Sequence, residues 1–449
     1  MARLLLSLVL WFTMMMAPDE AHAQRLLGTT APYRNSVSNE VKLIPQAGMA
    51  IIYDMPTPHV RRVRVLERNG RITDVAKGEL GSSMFDEFVW NEREQRLYAL
   101  SYMGPLYRWD SNGRVFQKIA GRPFEFRAMR YIPWFGRLVL VGEGGLNMVE
   151  NGRIVPVPLS GSLPKELYYV RDAPQFKALL LGNDKQQFLR TADGRLHFIG
   201  EGGIGTMAEL NTRPAIQLAG PRVAFDIAMT RSKQGAWNPT HVERVPLAWG
   251  MSSMLRSFVS SMDAYLIDQP GFFDWLLGRS GFYRLASDGL ERIGDSRQRG
   301  TKFPAHIGLR SSRLDLLRLD RGDQGGRQFW SIGANAEMRL HNQPRGVGRW
   351  FNVFEQENIS FISGADGVWL WNGRETPRPV AAYEFGANYP LPLKHELLFT
   401  DGITAAVVDR SGHVTHLHSF AKGEVLQTGQ DRVIVIGPKI IEFSLPMRG

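Results

Sequence analysis

The amino-acid sequence predicts an all-β protein made of repeated hairpins, and three observations support this prediction. Short apolar runs recur along the chain, a dipeptide of Asn, Asp or Ser followed by Gly separates them, and the spacing of these dipeptides is nearly constant. Asn-Gly and Asp-Gly accept the positive φ angles of a two-residue type I′ turn, so each one between apolar runs predicts a hairpin. The dipeptides are Asn69-Gly70, Asn112-Gly113, Asn151-Gly152, Asp193-Gly194, Asp288-Gly289, Asn372-Gly373 and Ser411-Gly412.

The period of the repeat predicts the architecture. The glycines at 70, 113, 152 and 194 are 43, 39 and 42 residues apart, and Pro133 and Pro174 repeat at 41 residues. A period of about 40 to 50 residues is that of a four-stranded propeller blade. The sequence therefore predicts a single β-propeller over residues 24–449, with eight blades favoured and seven to ten compatible with the apolar runs.

The two ends of the chain are predicted to meet in one sheet. The final hairpin, Arg432 to Ile436 with Lys439 to Ser444, has no further strand after it. The run Val41 to Pro45, which is similar to Arg153 to Pro156, is predicted to supply that strand. Closing a ring in this way removes free sheet edges.

Residues 205–280 interrupt the regular repeat and are interpreted as an insertion. The 95 residues between Gly194 and Gly289 hold either two blades or one blade with a large insertion. Apolar residues at helical spacing predict a short amphipathic helix over 251–262, followed by an apolar stretch. This region either packs on the propeller or forms a docking surface for a partner or for peripheral membrane contact through 251–277. The candidate contact residues are Met254, Phe258, Phe272, Phe273 and Trp275.

Residues 1–23 have the pattern of a secretory signal peptide. Arg3 precedes an apolar run from Leu4 to Met16, and Ala21-His22-Ala23 provides a cleavage site before Gln24. The apolar run is shorter than the roughly 20 residues that a membrane-spanning helix needs. We therefore expect a periplasmic or secreted protein.

Composition narrows the chemistry that the protein can carry. The chain of 449 residues has no cysteine, which excludes cysteine nucleophiles, zinc-thiolate sites and iron-sulfur clusters. Its formal net charge of +10 favours anionic envelope polymers, lipid headgroups or acidic proteins over nucleic acid as partners in this compartment. The competing interpretation is that the charge is spread thinly along the chain and serves solubility. No cofactor-binding motif is present, so no cofactor is expected.

The repeated units resemble those of exported bacterial β-propeller proteins in general. The clearest are Arg96 to Leu100 with Leu106 to Trp109, and Arg137 to Val141 with Leu146 to Val149, each followed by Asn-Gly. The Trp109-Asp110 pair is the dipeptide of WD repeats, but it does not recur and has no upstream Gly-His partner. The resemblance implies a disc with loops around a central channel and transfers no catalytic residue.

Two groups of side chains are weak candidates for binding. An arginine-rich stretch within 309–330 is compatible with an anion-binding loop, although interleaved aspartates favour a self-neutralising exposed loop. Its arginines are Arg310, Arg313, Arg318, Arg321 and Arg327. His416 and His418 would share one face of a strand and could bind a metal, but most such pairs are surface residues.

Acidic residues near the start of one unit are candidates for general acid-base chemistry. These are Asp86-Glu87 and Glu92 with Glu94. The competing interpretation is a solvated loop balanced by Arg93 and Arg96, and no catalytic residue is assigned.

The favoured function is a non-enzymatic extracytoplasmic propeller that binds a protein or an anionic envelope polysaccharide through loops on one face. Two alternatives remain open. One is a propeller enzyme, such as a hydrolase or lyase acting on sugars or lactones, and the other is a membrane-associated assembly factor.

Overall fold

The chain is described by a computed structural model over many separate ranges, and the expected signal peptide lies outside them. The ranges are 24–30, 40–57, 60–75, 87–100, 104–119, 125–203, 206–210, 212–220, 222–247, 255–259, 264–267, 281–294, 306–309, 316–321, 326–332, 338–341, 352–356, 359–364, 367–371, 378–381, 391–392, 396–400, 405–409, 414–417, 424–429 and 432–444.

The described strands form ten antiparallel sheets of four strands each. Strand β1 is Gln24–Thr29. Five sheets then follow in chain order: β2 (Glu40–Ile44), β3 (Met49–Thr57), β4 (Val60–Leu66) and β5 (Ile72–Asp74); β6 (Glu87–Asn91), β7 (Arg96–Leu100), β8 (Leu106–Asp110) and β9 (Val115–Lys118); β10 (Phe126–Ile132), β11 (Arg137–Gly142), β12 (Gly145–Glu150) and β13 (Arg153–Pro156); β14 (Tyr169–Ala173), β15 (Ala178–Gly182), β16 (Gln186–Arg190) and β17 (Leu196–Glu201); β18 (Thr206–Glu209), β19 (Ala215–Ala219), β20 (Val223–Arg231) and β21 (Trp237–Pro246).

The remaining sheets continue the same pattern to the last described residues. They are β22 (Leu255–Val259), β23 (Ala264–Ile267), β24 (Gly281–Ala286) and β25 (Gly289–Gly294); β26 (His306–Leu309), β27 (Leu316–Arg321), β28 (Gly326–Ile332) and β29 (Met338–His341); β30 (Asn352–Gln356), β31 (Ile359–Gly364), β32 (Gly367–Trp371) and β33 (Arg378–Ala381); β34 (Leu391–Pro392), β35 (Glu396–Thr400), β36 (Ala405–Asp409) and β37 (Val414–Leu417); and finally β38 (Glu424–Gln427), β39 (Arg432–Ile436) and β40 (Lys439–Ser444), completed by β1. Two short 3-10 helices, Pro45–Ala47 and Pro174–Phe176, are the helical elements in the described ranges. The ten sheets exceed the eight repeat units that the sequence favoured.

The last sheet takes its fourth strand from the N-terminal end of the chain, as expected, but the strand is β1 and not the run that was predicted. β1 pairs with β40, with Leu26 opposite Ile441, whereas Val41 lies in β2 and begins the first sheet. The Arg25 guanidinium lies 2.9 Å from the Glu442 carboxylate, and Thr30 bonds to residues 437 and 438. These polar contacts select β1, and the apolar pattern on which the prediction rested does not reveal them.

The predicted helix over 251–262 is wrong where the structure describes it. Leu255–Val259 is strand β22, which pairs with β23. A short apolar run at positions i, i+3 and i+4 is ambiguous between helix and strand. Here pairing with the neighbouring strand satisfies the backbone, so the tertiary context decides. The stretch 205–280 supplies the complete sheet β18–β21 and the first two strands of the next sheet.

The second strands β7, β11, β15 and β19 are buried on both faces, which explains their continuous apolar sequence. All five residues of β15 and of β19 are buried, and β11 is buried after its first residue. Since a sheet covered on both sides loses the usual alternation of polar and apolar residues, this pattern indicates face-to-face packing of sheets.

Consecutive sheets pack against each other through shared apolar clusters. Tyr98 and Leu140 join the sheets β6–β9 and β10–β13, and Val139 and Leu181 join the latter to β14–β17. Leu180 and Phe225 continue the series to β18–β21. A further cluster joins β18–β21 to β22–β25.

The chain divides into two compact units. One comprises residues 1–75, 402–405 and 416–449, and the other comprises residues 76–401 and 406–415. Within the first unit, the first sheet packs on the last through a cluster that includes Ile52 and Ile434.

The repeated dipeptides lie between third and fourth strands, but the described turns are not all of the predicted type. Asn151 and Gly152 have φ angles of 50° and 70° in a two-residue turn, which confirms type I′ there. At Gly70 and Gly194 the glycine alone has a positive φ, and the loop is one residue longer, closed by the amides of Glu67 and Thr191. A longer loop with glycine in the last position also preserves the hairpin, so the dipeptide predicted the bend but not its length.

A second repeated bend joins first to second strands, and it contains Pro133 and Pro174, the prolines that repeat at 41 residues. The residue before the second strand is left-handed in four consecutive sheets, at Gly48, Gln95, Gly136 and Lys177. In three of the four bends, the N–H of the left-handed residue donates to the carbonyl oxygen of a proline three residues earlier, so proline and not glycine marks this bend in the sequence.

Candidate functional site

A polar depression lies at one end of the sheet β14–β17. It has a volume of about 490 Å³ and is lined by Asn183, Lys185, Gln186 and Glu201. Asn183 and Lys185 belong to the turn between β15 and β16, and Glu201 ends β17, where it lies opposite Gln186. Ligand sites typically have volumes of about 300 to 1,000 Å³, so the depression is large enough for a small ligand or a side chain of a partner.

The Asn183 side chain holds the turn in one conformation. Its Oδ1 accepts hydrogen bonds from the backbone N–H groups of Lys185 and Gln186, both at 2.9 Å. Its Nδ2 donates to the carbonyl oxygen of Glu166 at 3.1 Å. An Asn that caps its own turn and also reaches a neighbouring segment restricts the backbone, so Lys185 projects from a preorganised position.

Gln187 forms the base beneath the depression. The side chain is fully buried, and its Nε2 donates to the carbonyl oxygens of Asn183 at 2.9 Å and Gly202 at 2.6 Å. Its Oε1 accepts a hydrogen bond from the Tyr169 hydroxyl. Burial raises the pKa of Tyr169, which keeps the hydroxyl protonated as a donor. The Gln187 side-chain amide therefore joins the turn, β14 and the end of β17 through three hydrogen bonds.

A cluster of one aromatic and two charged side chains lies beside the turn. The Arg127 guanidinium lies 4.2 Å from the centre of the Tyr168 ring, and its NH2 is 4.0 Å from the Glu166 carboxylate. The Tyr168 hydroxyl also bonds to Glu166, at 3.3 Å. Arg127, Tyr168 and Glu166 thus bind one another. Among the described residues, the charged side chains of the depression have no ion-pair partner.

An exposed aromatic residue extends the depression along β17. The Phe198 side chain is 54% exposed, and Leu26 is the one other large apolar side chain with comparable exposure in the described ranges. Phe198 lies opposite Phe188 and Glu201 lies opposite Gln186, so both project from the same face of the sheet. We call Asp184, Lys185, Gln186, Phe198 and Glu201 the Phe198 surface.

The charged groups of the Phe198 surface form no ion pairs with the residues that the structure describes. Asp184, Lys185 and Glu201 are exposed, and none has an ion-pair partner within 4.0 Å among the residues that the structure describes. Two carboxylates and one ammonium give this patch a negative balance on a chain whose net charge is +10. The local charge is therefore opposite in sign to that of the whole molecule.

Acidic side chains on first strands form a separate, structural series. The Glu87 carboxylate accepts the backbone N–H of Met129 at 3.0 Å, and Asp172 accepts the Trp134 indole N–H at 2.5 Å. Glu209 accepts the backbone N–H of Gln175 at 3.0 Å. Burial raises the pKa of all three carboxyl groups. Each bond joins one sheet to the next.

Two of the sequence-predicted acidic candidates, Glu87 and Glu94, make structural hydrogen bonds, and Glu92 is exposed in the turn before β7. Glu87 lies on β6, and Glu94 accepts hydrogen bonds from the Tyr98 hydroxyl and from the backbone N–H of Gly152. Asp86 lies outside the described residues. No group of three His, Asp or Glu side chains arranged to hold a metal occurs in the described ranges.

The arginine-rich stretch is a hairpin where it is described, and the expected loop is wrong there. Arg318 and Arg321 lie on β27 and Arg327 on β28, with Asp320 directly opposite Arg327. On β27, Leu317 and Leu319 alternate with Arg318 and Asp320, a pattern that is typical of a strand. Arg310 and Arg313 lie outside the described residues, so an anion-binding role stays a prediction.

Most of the other predicted contact residues lie outside the described ranges. These are Met254, Phe272, Phe273, Trp275 and His418. Phe258 lies on β22 and His416 on β37. Docking through 251–277 and metal binding by the histidines are untested predictions.

The sequence analysis missed the Phe198 surface because its residues come from a turn and from the far end of the adjacent strand. The Asn183-Asp184 pair is a turn signal between two apolar runs and could have located the turn. The bulge at Ile199, which sets Phe198 and Glu201 on one face, has no equivalent signal.

No helix in the described part of the chain is both long and apolar enough to span a membrane. No protein-family model matches the sequence, and no curated protein matches it.

Solved structures that the chain is similar to include three extracellular domains from B. thetaiotaomicron. The first is described as belonging to a one-component system, with 9% identity, a TM-score of 0.28, and coverage of 92% of this chain and 64% of that one. The others are described as belonging to hybrid two-component systems, with 10% identity, TM-scores of 0.26 and 0.29, and coverage of 89% and 93% of this chain and 69% and 70% of theirs. The chain thus spans less than two thirds of the first structure. These TM-scores are too low to assign a fold family or a function.

Proposed function

We propose that this chain is an extracytoplasmic β-propeller that binds a protein or an anionic envelope polymer through loops at one end of its sheets. The architecture is supported by the repeated four-stranded sheets and their face-to-face packing in chain order. Pairing of β1 with β40 is the contact that a ring closed by both chain ends requires. The leader pattern of residues 1–23 supports export.

The observation that carries the binding function is the polar depression with its unpaired charges. In an antiparallel four-stranded sheet, the turn from second to third strand and the exit from the fourth strand lie at the same end. Asn183, Gln187 and Gly202 bind these two segments together beneath Lys185 and Glu201. Rigid loops that carry free polar groups reduce the entropy lost when a ligand binds.

Affinity measurements on residues 24–449 test this function. The immobilised protein is presented with an extracytoplasmic protein extract and, separately, with the anionic polymer polygalacturonate. A variant with Asp184→Ser, Lys185→Ser and Glu201→Ser is compared with a control that removes the same number of exposed acidic and basic side chains elsewhere, Asp74→Ser, Lys118→Ser and Glu424→Ser.

We expect retention of an extract protein or of the polymer. Retention of the protein should be roughly tenfold weaker in the triple variant and unchanged in the control. Retention of neither sample by the wild-type protein would contradict the proposed function. Equal retention by the triple variant and the wild type would place binding elsewhere on the molecule.

A further inference from the structure

We propose that the Phe198 surface binds an extended protein segment that carries an apolar side chain next to a basic one. This inference rests on the proposed binding function and selects a protein over an anionic polymer as the ligand of this surface. Three independent features support it: an exposed aromatic side chain, a negative local charge and a free strand edge.

Phe198 provides the apolar contact. Its ring packs against Phe188 in an edge-to-face arrangement, with the ring centres 5.5 Å apart, while 54% of the side chain stays exposed. A supported aromatic ring loses little conformational entropy on binding, and aromatic residues are enriched among the residues that dominate the energy of protein interfaces. Sugar rings also stack on exposed aromatic rings, so the choice of a protein over an anionic polysaccharide rests on the charges of the Phe198 surface.

The charges around Phe198 select against an anionic ligand. Asp184 and Glu201 leave one excess negative charge beside Lys185, since none of the three is paired within the described ranges. The Arg127 guanidinium, which contacts Glu166 beside this turn, is already engaged with the Tyr168 ring. Like charges across an interface oppose binding, so a basic side chain fits this patch and a chain of carboxylates or sulfates does not.

The edge of β17 provides backbone groups for an extended segment. β17 is the last strand of its sheet and pairs with β16 on one side. Its other edge has one described bridge, from Arg195 to Ser160, and Leu196 to Glu201 have no strand partner there in the described part of the chain. Partner segments commonly bind such edges by adding a strand, with alternate side chains reaching the surface.

Fluorescence polarisation with two pools of capped, labelled octapeptides tests the inference. The first pool fixes Phe or Leu and, two positions along, Lys or Arg, so that both side chains share a face when extended. The second pool replaces the basic residue with Asp or Glu. Both are titrated against residues 24–449 and against the variants Phe198→Ser and Glu201→Lys. Leu26→Ser and Glu424→Lys are the matched controls, because they change an exposed apolar residue and an exposed glutamate elsewhere.

We expect the first pool to bind the wild type at least about tenfold more tightly than the second. Phe198→Ser should weaken that binding about tenfold, and Glu201→Lys should reverse the preference between pools, while both controls behave as wild type. Equal or absent binding of the two pools, or binding that neither variant changes, overturns the inference.

A parallel titration with polygalacturonate separates the two proposals. Polymer binding that is lost in Lys185→Glu, without peptide binding, overturns the protein ligand and leaves the proposed binding function intact. Retention of an extract protein that is unchanged in Phe198→Ser and Glu201→Lys would likewise overturn the protein ligand of this surface and leave the proposed binding function intact. Failure of the wild-type protein to retain peptides, polymer and extract removes both proposals.

Discussion

At the residue scale, buried polar side chains connect the elements around the depression. Gln187 is the clearest case, because all its amide hydrogen bonds are made to protein groups and none of its surface is exposed. In the neighbouring sheet β18–β21, the buried Gln217 amide donates to the Asp226 carboxylate at 2.6 Å. Such residues contribute through hydrogen bonds that their apolar replacements leave unsatisfied.

We expect Gln187→Leu to destabilise the protein by about 2 to 4 kcal/mol, because it removes the partners of Tyr169, Asn183 and Gly202 within a buried site. Urea unfolding measures the loss, and Gln234→Leu in an exposed turn is the control. A change below about 0.5 kcal/mol, the usual range for surface substitutions, would show that this amide does not join the turn to β17.

The acidic residues that join neighbouring sheets predict a pH dependence. Burial raises the pKa of Glu209, so the folded protein binds its proton more tightly than the unfolded chain does. Stability contributed at this site therefore falls as pH rises from the unfolded pKa through the raised folded pKa, and the penalty is complete above it.

Glu209→Gln keeps an acceptor for the Gln175 N–H and removes the titration. We expect the variant to gain stability relative to wild type as pH rises from about 4 to about 7. Unfolding free energies at several pH values measure this difference, with Glu424→Gln as an exposed control. A stability difference that stays constant across the range would refute the assignment.

The sequence did not reveal the Phe198 surface because no single segment of the chain contains all of its residues. Lys185 follows a recognisable turn signal, but Glu201 and Phe198 join it only through the register of β16 and β17. A bulge of one residue determines which side chains share a face, and register depends on tertiary packing.

At the element scale, the sequence predicted the hairpins well, but it predicted less well which further strands pair with them. Gly70, Gly152 and Gly194 supply the positive φ that their bends need, a local demand that the sequence shows directly, whereas the Asn112-Gly113 bend takes its positive φ at Arg114. The predicted helix over 251–262 failed because Leu255 to Val259 satisfy their backbone by pairing with another strand. The strand that completes the last sheet was misassigned because contacts with residues distant in the chain, such as Arg25 with Glu442, select it.

Pairing of β1 with β40 can be tested directly, because the chain has no cysteine of its own. In the double variant Leu26→Cys, Ile441→Cys, the two thiols replace side chains on directly opposed residues. We expect a disulfide under mild oxidation, since opposed residues of antiparallel strands lie within the roughly 4.4 to 6.8 Å between Cα atoms that a disulfide needs.

Faster migration on a non-reducing denaturing gel reports the link. The pair Leu26→Cys, Lys439→Cys is the control, because Lys439 lies opposite Thr29. Linking at equal rates in both variants would mean that β1 has no fixed register on β40.

At the scale of the whole molecule, the repeated packing of sheets gives the architecture its physical basis. The four sheets from β6 to β21 bury their second strands, and apolar clusters join each of these sheets to the next, so none of the four has a self-sufficient core. Repeat proteins of this kind need either capping units or closure into a ring. The period of the turn dipeptides predicted this repeated organisation. The number of sheets could not be predicted from the sequence, because several units lack a clear dipeptide.

The central claim is that these sheets are the blades of one ring, closed where β1 joins the last sheet. Two-dimensional class averages of residues 24–449 by electron microscopy test it most directly. The account predicts a disc with a central opening and ten radial lobes, one for each four-stranded sheet. Two separate bodies, or sheets stacked in flat layers without a central opening, would contradict it.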